Sequence, residues 1–157
     1  MVFMTLKTFY WKYSLWAAIL NTVGIIAFLS FRQYENNWLV YVGSMLFVAV
    51  VLLGVFRGYH RVHDSASLRS SSMMGIKITI YGILLAVVFA GLVLLINSMF
   101  SGLNDGSNPP QSGRGDVLFH IFSNTVGTNA VLGGLASVLG ATVVKKDQKT
   151  EEGKTLY

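Results

Sequence analysis

Four stretches without Asp, Glu, Lys or Arg alternate with short polar segments along this chain. They predict spans at about 13–31, 38–56, 78–96 and 117–144. A helix of about 19 residues rises roughly 28 Å, close to the hydrocarbon thickness of a bilayer. The pattern therefore predicts an all-α integral membrane protein with four transmembrane helices. Aromatic residues gather where the chain enters the bilayer: Tyr10, Trp11, Tyr13 and Trp16 before the first span, Trp38 and Tyr41 at the second. Amphipathic rings favour headgroup depth. The third span is the most hydrophobic. The fourth is longer than one crossing needs, which predicts a tilt or a projecting end.

The last span differs in kind. Its sequence, NTVGTNAVLGGLASVLGATVVKK from Asn124 to Lys146, mixes apolar residues with Gly, Ala, Ser, Thr and Asn. Lipid does not require that mixture, whereas close helix packing does. Thr125, Asn129, Gly133, Ser137 and Ala141 recur every four residues and predict one packing stripe. This helix is expected to be the one the others pack around. Asn21 and Thr22 fall near the middle of the first span and are expected to face the bundle, because lipid offers no hydrogen-bond partner. The tetrapeptide NTVG occurs at Asn21–Gly24 and again at Asn124–Gly127. The flanking residues differ, so it is read as coincidence rather than an internal repeat.

Polar segments set the orientation. Arg57 to Lys77 carries Arg57, Arg61, Arg69 and Lys77 against one acid, Asp64, and is expected to meet lipid headgroups. Its serines predict an N-cap for the third helix at Ser71 or Ser72. Asn97 to Asp116 is dense in Gly, Ser, Asn and Pro and predicts a loop. Residues 145–157 form a polar tail, expected to be mobile and cytoplasmic. Ten of the 12 Lys and Arg lie at the two ends and in the middle segment; only Arg32 and Arg114 lie elsewhere. That bias predicts both termini and the middle segment in the cytoplasm.

Composition then narrows the chemistry. The chain is 157 residues long, 53% hydrophobic and 12% charged. A soluble domain carries about 25% charged residues. The formal charge of +5 follows membrane topology rather than nucleic-acid binding. Without Cys there is no disulfide and no thiolate chemistry. No small-x-small cleavage pattern follows the first span, so it is expected to remain as an uncleaved anchor.

His60 and His63 share a helix face at a spacing that metal sites use, but Arg57 and Arg61 would repel a cation. No metal and no cofactor is expected. Asp116 and His120, four apart, can pair on one face, or Asp116 can cap its helix. Arg114-Gly115-Asp116 spells an adhesion tripeptide without further support. No ionisable residue lies deep in any span, which argues against ion-coupled transport. No catalytic motif is present, and no catalytic residue is expected.

The order of features resembles a family of small membrane proteins of Bacteroidota classed as domain of unknown function 4199. The resemblance runs through YWKYSLWAAILN (Tyr10–Asn21), FRGYHRVH (Phe56–His63) and GATVVKK (Gly140–Lys146). It covers almost the whole chain. Where the family carries a Gly-and-aromatic turn before the third helix, Ser65 to Ser72 stands here. The loop before the last helix is Gly/Ser/Asn-rich instead of acidic or Gln-rich. The resemblance implies four helices in a bacterial inner membrane, and no catalytic residues.

The expected role is therefore non-catalytic. The chain is read as an interaction or accessory protein that packs with itself or with another membrane protein. The helix-packing residues are Asn21, Asn129, Gly133, Ser137 and Ala141. The rival is an oligomeric transporter or channel for a small solute, with Asn21 and Asn129 on its path. A membrane enzyme would have only Asp116 and His120 to offer.

Overall fold

The structure is a computed structural model. It describes the backbone of residues 6–30, 38–59, 68–101 and 111–154, and the side chains of residues 8–30, 38–58, 68–99 and 117–144. All of the described backbone is helical. The elements are α1 (Leu6–Ser30), α2 (Trp38–Tyr59), α3 (Leu68–Ser101), α4 (Gln111–Ser123) and α5 (Asn129–Lys154). A π-helical turn, Asn124–Thr128, links α4 to α5. Ser123 and Asn129 flank it in right-handed helical conformation, so α4 and α5 make one continuous helix. Four segments are long and apolar enough to cross a membrane: Thr8–Ser30, Trp38–Gly58, Leu68–Met99 and Val117–Val144.

Several boundaries depart from the sequence reading. α3 begins at Leu68, ten residues before the predicted span, so neither Ser71 nor Ser72 is its cap. Ser71, Met74, Gly75, Ile78, Thr79 and Gly82 are all buried, a helical face that starts within the serine cluster. Met74 packs beside Gly58 and Phe9, so the extra turns of α3 cover the facing ends of α1 and α2. At its other end α3 continues to Ser101, and α4 begins at Gln111, directly after Pro110. Residues 97–101 and 111–116 of the predicted loop are thus helical, and 102–110 lie outside the described residues. Asp116 stands five residues inside α4 and does not cap it. The polar tail, expected to be mobile, continues α5 as helix to Lys154.

The packing order is also different. α1 lies along both α2 and α3, and α5 lies along α3 and α2. α1 and α5 therefore face each other across a diagonal of the bundle, and α5 is not the helix that the others surround. α1 and α2 approach most closely where Gly24 meets Gly43. A methyl on Gly24 would lie 2.6 Å from Gly43 Cα, backbone against backbone.

Two apolar clusters fill the interior. One gathers Phe9, Ala17, Phe47, Val51, Ile78 and Ala136 among others. The second gathers Ile25, Phe28, Val40, Ala90 and Ile121. Along α1, α2 and the α4–α5 helix, buried polar residues fall between the two: Asn21 and Thr22, then Ser44, then Asn124, Thr125 and Asn129. The bundle is an apolar–polar–apolar stack along its length.

Candidate functional site

The polar layer is built by three helices. Asn129 opens α5 and sends Nδ2 to Asn21 Oδ1 of α1 at 3.0 Å and to the Thr125 carbonyl at 3.0 Å. Asn124 sends Nδ2 to the Val40 carbonyl at 3.2 Å and to Ser44 Oγ of α2 at 2.8 Å. Both anchors depend on the π turn. In it the Asn129 N–H reaches back to the Asn124 carbonyl, five residues earlier. The wider turn adds one residue to the helical repeat, and single π turns of this kind recur at functional sites. Here it turns both Asn124 and Asn129 inward with Thr125 between them. Asn124 is 6% exposed, Thr125 1%, Asn129 0% and Asn21 1%.

Four polar atoms of this layer have no partner: Asn21 Nδ2, Asn124 Oδ1, Thr125 Oγ1 and Asn129 Oδ1. The amide orientations are fixed by their neighbours. The atom that faces the Thr125 carbonyl must be a donor, which makes it Asn129 Nδ2. Asn21 must then present its oxygen to that donor. The atom that faces the Val40 carbonyl is likewise Asn124 Nδ2. Turning over Asn129 or Asn124 would set oxygen against oxygen, and turning over Asn21 would set donor against donor. A buried polar group without a partner costs about 1–3 kcal/mol.

Other buried polar groups are satisfied locally. Thr22 Oγ1 donates to the Ala18 carbonyl, Thr79 Oγ1 to Gly75 and Ser137 Oγ to Gly133. Ser14 Oγ crosses from α1 to the Ile78 carbonyl of α3 at 3.1 Å. Such bonds let hydroxyls sit in a dry interior at little cost.

The stripe Thr125, Asn129, Gly133, Ser137 and Ala141 is buried along its whole length. Its lower half packs on α3. A methyl on Gly133 would lie 2.6 Å from Thr79 Cγ2, and one on Gly75 would lie 2.5 Å from Ser137 Oγ. The stripe is therefore occupied within the chain. The outward face of the same helix carries Val131, Leu135, Val138 and Leu139, all exposed. Gly127 and Gly134 lie among them, and a side chain on either would meet no atom within 4 Å.

The basic residues gather at one end. Arg57 lies exposed in the last turn of α2, and Arg69 exposed in the first turns of α3. Lys77 is exposed, with Nζ 5.6 Å from the centre of the Tyr10 ring, a cation–π contact between α3 and α1. Trp11 stacks on Tyr81 beside it, with ring centres 6.0 Å apart. Arg61, His60 and His63 lie outside the described residues. His120 is exposed on α4, edge-on to Phe119, and the side chain of Asp116 lies outside the described residues. Among the described residues no group of three His, Cys, Asp or Glu is close enough together to hold a metal.

A cavity of about 170 Å³ opens between α3 and α4, lined by Val87, Ala90, Gly91, Leu94, Ile121 and Thr125 among others. It is apolar apart from Thr125. The residues that sequence reasoning left aside are Asn124 and Ser44. Asn124 was legible only as half of a repeated tetrapeptide, and nothing in its own segment names Ser44 as its partner. Comparison with protein-family models, with curated proteins and with solved structures finds no match for this chain.

Proposed function

We propose that this chain is a multi-pass inner-membrane protein with a non-catalytic role, acting by helix contact with a second copy or another membrane protein. Both termini and the segment between α2 and α3 face the cytoplasm in this reading. The Lys and Arg bias supports it, as does the placement of Arg57, Arg69 and Lys77 at one end.

The observation that carries the role is the outward face of the α4–α5 helix. The inward stripe is filled by α3, so a partner would use the other side. There Gly127 and Gly134, seven residues and about two turns apart, leave two notches that alternate with exposed Val131 and Val138. Small residues at such spacing let a second helix approach closely in lipid. The test is Gly127→Leu with Gly134→Leu, purified in mild detergent. Melting should be unchanged, while the assembled mass or the set of copurifying membrane proteins should fall. An unchanged mass and unchanged copurification would reject this face.

Orientation has its own test, made clean by the absence of native Cys. Asn104→Cys should react with an impermeant thiol reagent on intact cells, and Ser67→Cys only after permeabilisation. The reverse pattern would overturn the topology.

The second reading, a small-solute transporter or channel, is favoured by one observation: the four unpartnered polar atoms midway along the bundle. Solute flux in liposomes, removed by Asn21→Leu without loss of fold, would select it over the contact role.

A further inference from the structure

We propose that Asn21, Asn124, Thr125 and Asn129 form a built site for internal water, and that the π turn serves to present it. The argument rests on matching donors and acceptors. The unpartnered set is one fixed donor, Asn21 Nδ2, two fixed acceptors, Asn124 Oδ1 and Asn129 Oδ1, and one hydroxyl, Thr125 Oγ1. Water donates twice and accepts twice. It accepts from Asn21 Nδ2 and from the Thr125 hydroxyl, and donates to the two amide oxygens. Each vacant bond then has a complement of the right sign. A monovalent cation fits less well. The three oxygens would accept it, but the Asn21 N–H would point a positive hydrogen toward it.

Placement agrees with the same ligand. Asn124, Thr125 and Asn129 share one turn of helix, and Asn129 is bonded to Asn21 across the bundle. All four residues are at least nine-tenths buried, so bulk solvent does not satisfy them. A buried water needs two to four polar partners and about 10–15 Å³ of accessible space. The cavity between α3 and α4 reaches Thr125 with about 170 Å³. This groove is half-open and apolar, and Thr125 is the one residue it shares with the polar layer. Water here would tie α1 to the α4–α5 helix at the level where Asn124 already bonds α2, and hold the π turn against relaxing to regular helix.

The full chain in lipid nanodiscs, labelled with nitrogen-15, tests this through magnetisation transfer from water to the Asn21 side-chain amide. A water cross-peak is expected on Asn21 Nδ2. Thr125→Val is expected to lower the melting temperature by about 2–4 °C, since the bound water loses a donor. Thr125→Ser should match the wild type in both readouts. A missing cross-peak in the wild-type chain would overturn the proposal, and that measurement stands even if Thr125→Val fails to fold. A Thr125→Val melting point at or above wild type would also overturn it, because removing a dry, unpartnered hydroxyl stabilises. So would a rise in melting temperature in sodium chloride over choline chloride that Thr125→Val abolishes, which assigns the site to a cation. The inference does not depend on the contact role, since its readouts are taken on the wild-type chain and on Thr125 variants with Gly127 and Gly134 unchanged.

Discussion

The same four letters, NTVG, fold into two different pieces of this molecule. At Asn21–Gly24 they are regular α-helix within α1. Thr22 donates back to the Ala18 carbonyl four residues earlier, and Gly24 presses on Gly43 of α2. At Asn124–Gly127 they form most of a π turn. Asn124 bonds across to α2, the Thr125 hydroxyl has no partner, and Gly127 faces open space. The two asparagine–threonine pairs converge on one polar layer from opposite helices. The two glycines part company, one against the backbone of α2 and the other on the outside of the bundle. Identical local sequence thus carries no fixed local structure. What differs is the partner available to each side chain.

The comparison is broken most severely at Gly24. Gly24→Leu should drive side-chain carbon into the Gly43 backbone, which has no rotamer to escape by. The loss should reach or exceed the upper end of the about 1–3 kcal/mol typical of overpacking. Gel filtration should show loss of the monodisperse species. Survival with a normal melting point would mean that α1 and α2 do not cross there.

Gly133→Leu comes next. Its clash is with the Thr79 side chain, which has some freedom, so about 1–3 kcal/mol is expected. Val131→Leu adds similar bulk on the exposed face, where Val131 is 62% exposed, and should be tolerated within about 0.5 kcal/mol. Equal melting points for the pair would remove α3 as the neighbour of the stripe.

Polar substitutions sharpen the contrast between the two tetrapeptides. Asn124→Leu removes two bonds to α2, each worth about 0.6–2 kcal/mol between membrane helices, and should also favour regular helix over the π turn. Thr22→Val removes only a bond to its own helix and should stay within about 0.5 kcal/mol. Thermal melts of the two variants in one detergent separate these outcomes. A larger effect at Thr22 would invert the roles assigned here.

The smallest effect belongs to Gly127. Measured on the dissociated chain, Gly127→Ala should be neutral or gain up to about 1 kcal/mol from helix propensity, because no atom of the chain itself opposes the new methyl. A clear loss would show that the chain itself covers the outer face.

The four apolar helices were legible in the sequence because crossing lipid is a nearly additive demand. Each residue contributes its own transfer preference, and backbone hydrogen bonds close within the helix. The burial of Asn21 and of the stripe from Thr125 to Ala141 follows from the same rule, since lipid pairs with no amide or hydroxyl. Tertiary structure decided the rest. α3 starts early because Met74 finds α1 and α2 beside it and Gly75 finds α2 and α5, and no propensity of a serine run announces those neighbours. α5 is not the centre the others surround but one corner of the bundle, diagonal to α1, because composition shows how closely a helix can pack but not how many helices reach it. The π turn at Asn124–Thr128 depends on a carbonyl at Val40 and a hydroxyl at Ser44, some 80 residues away in the chain. Hydrogen bonds are directional and need a partner in place, so their geometry exists only once the helices have met.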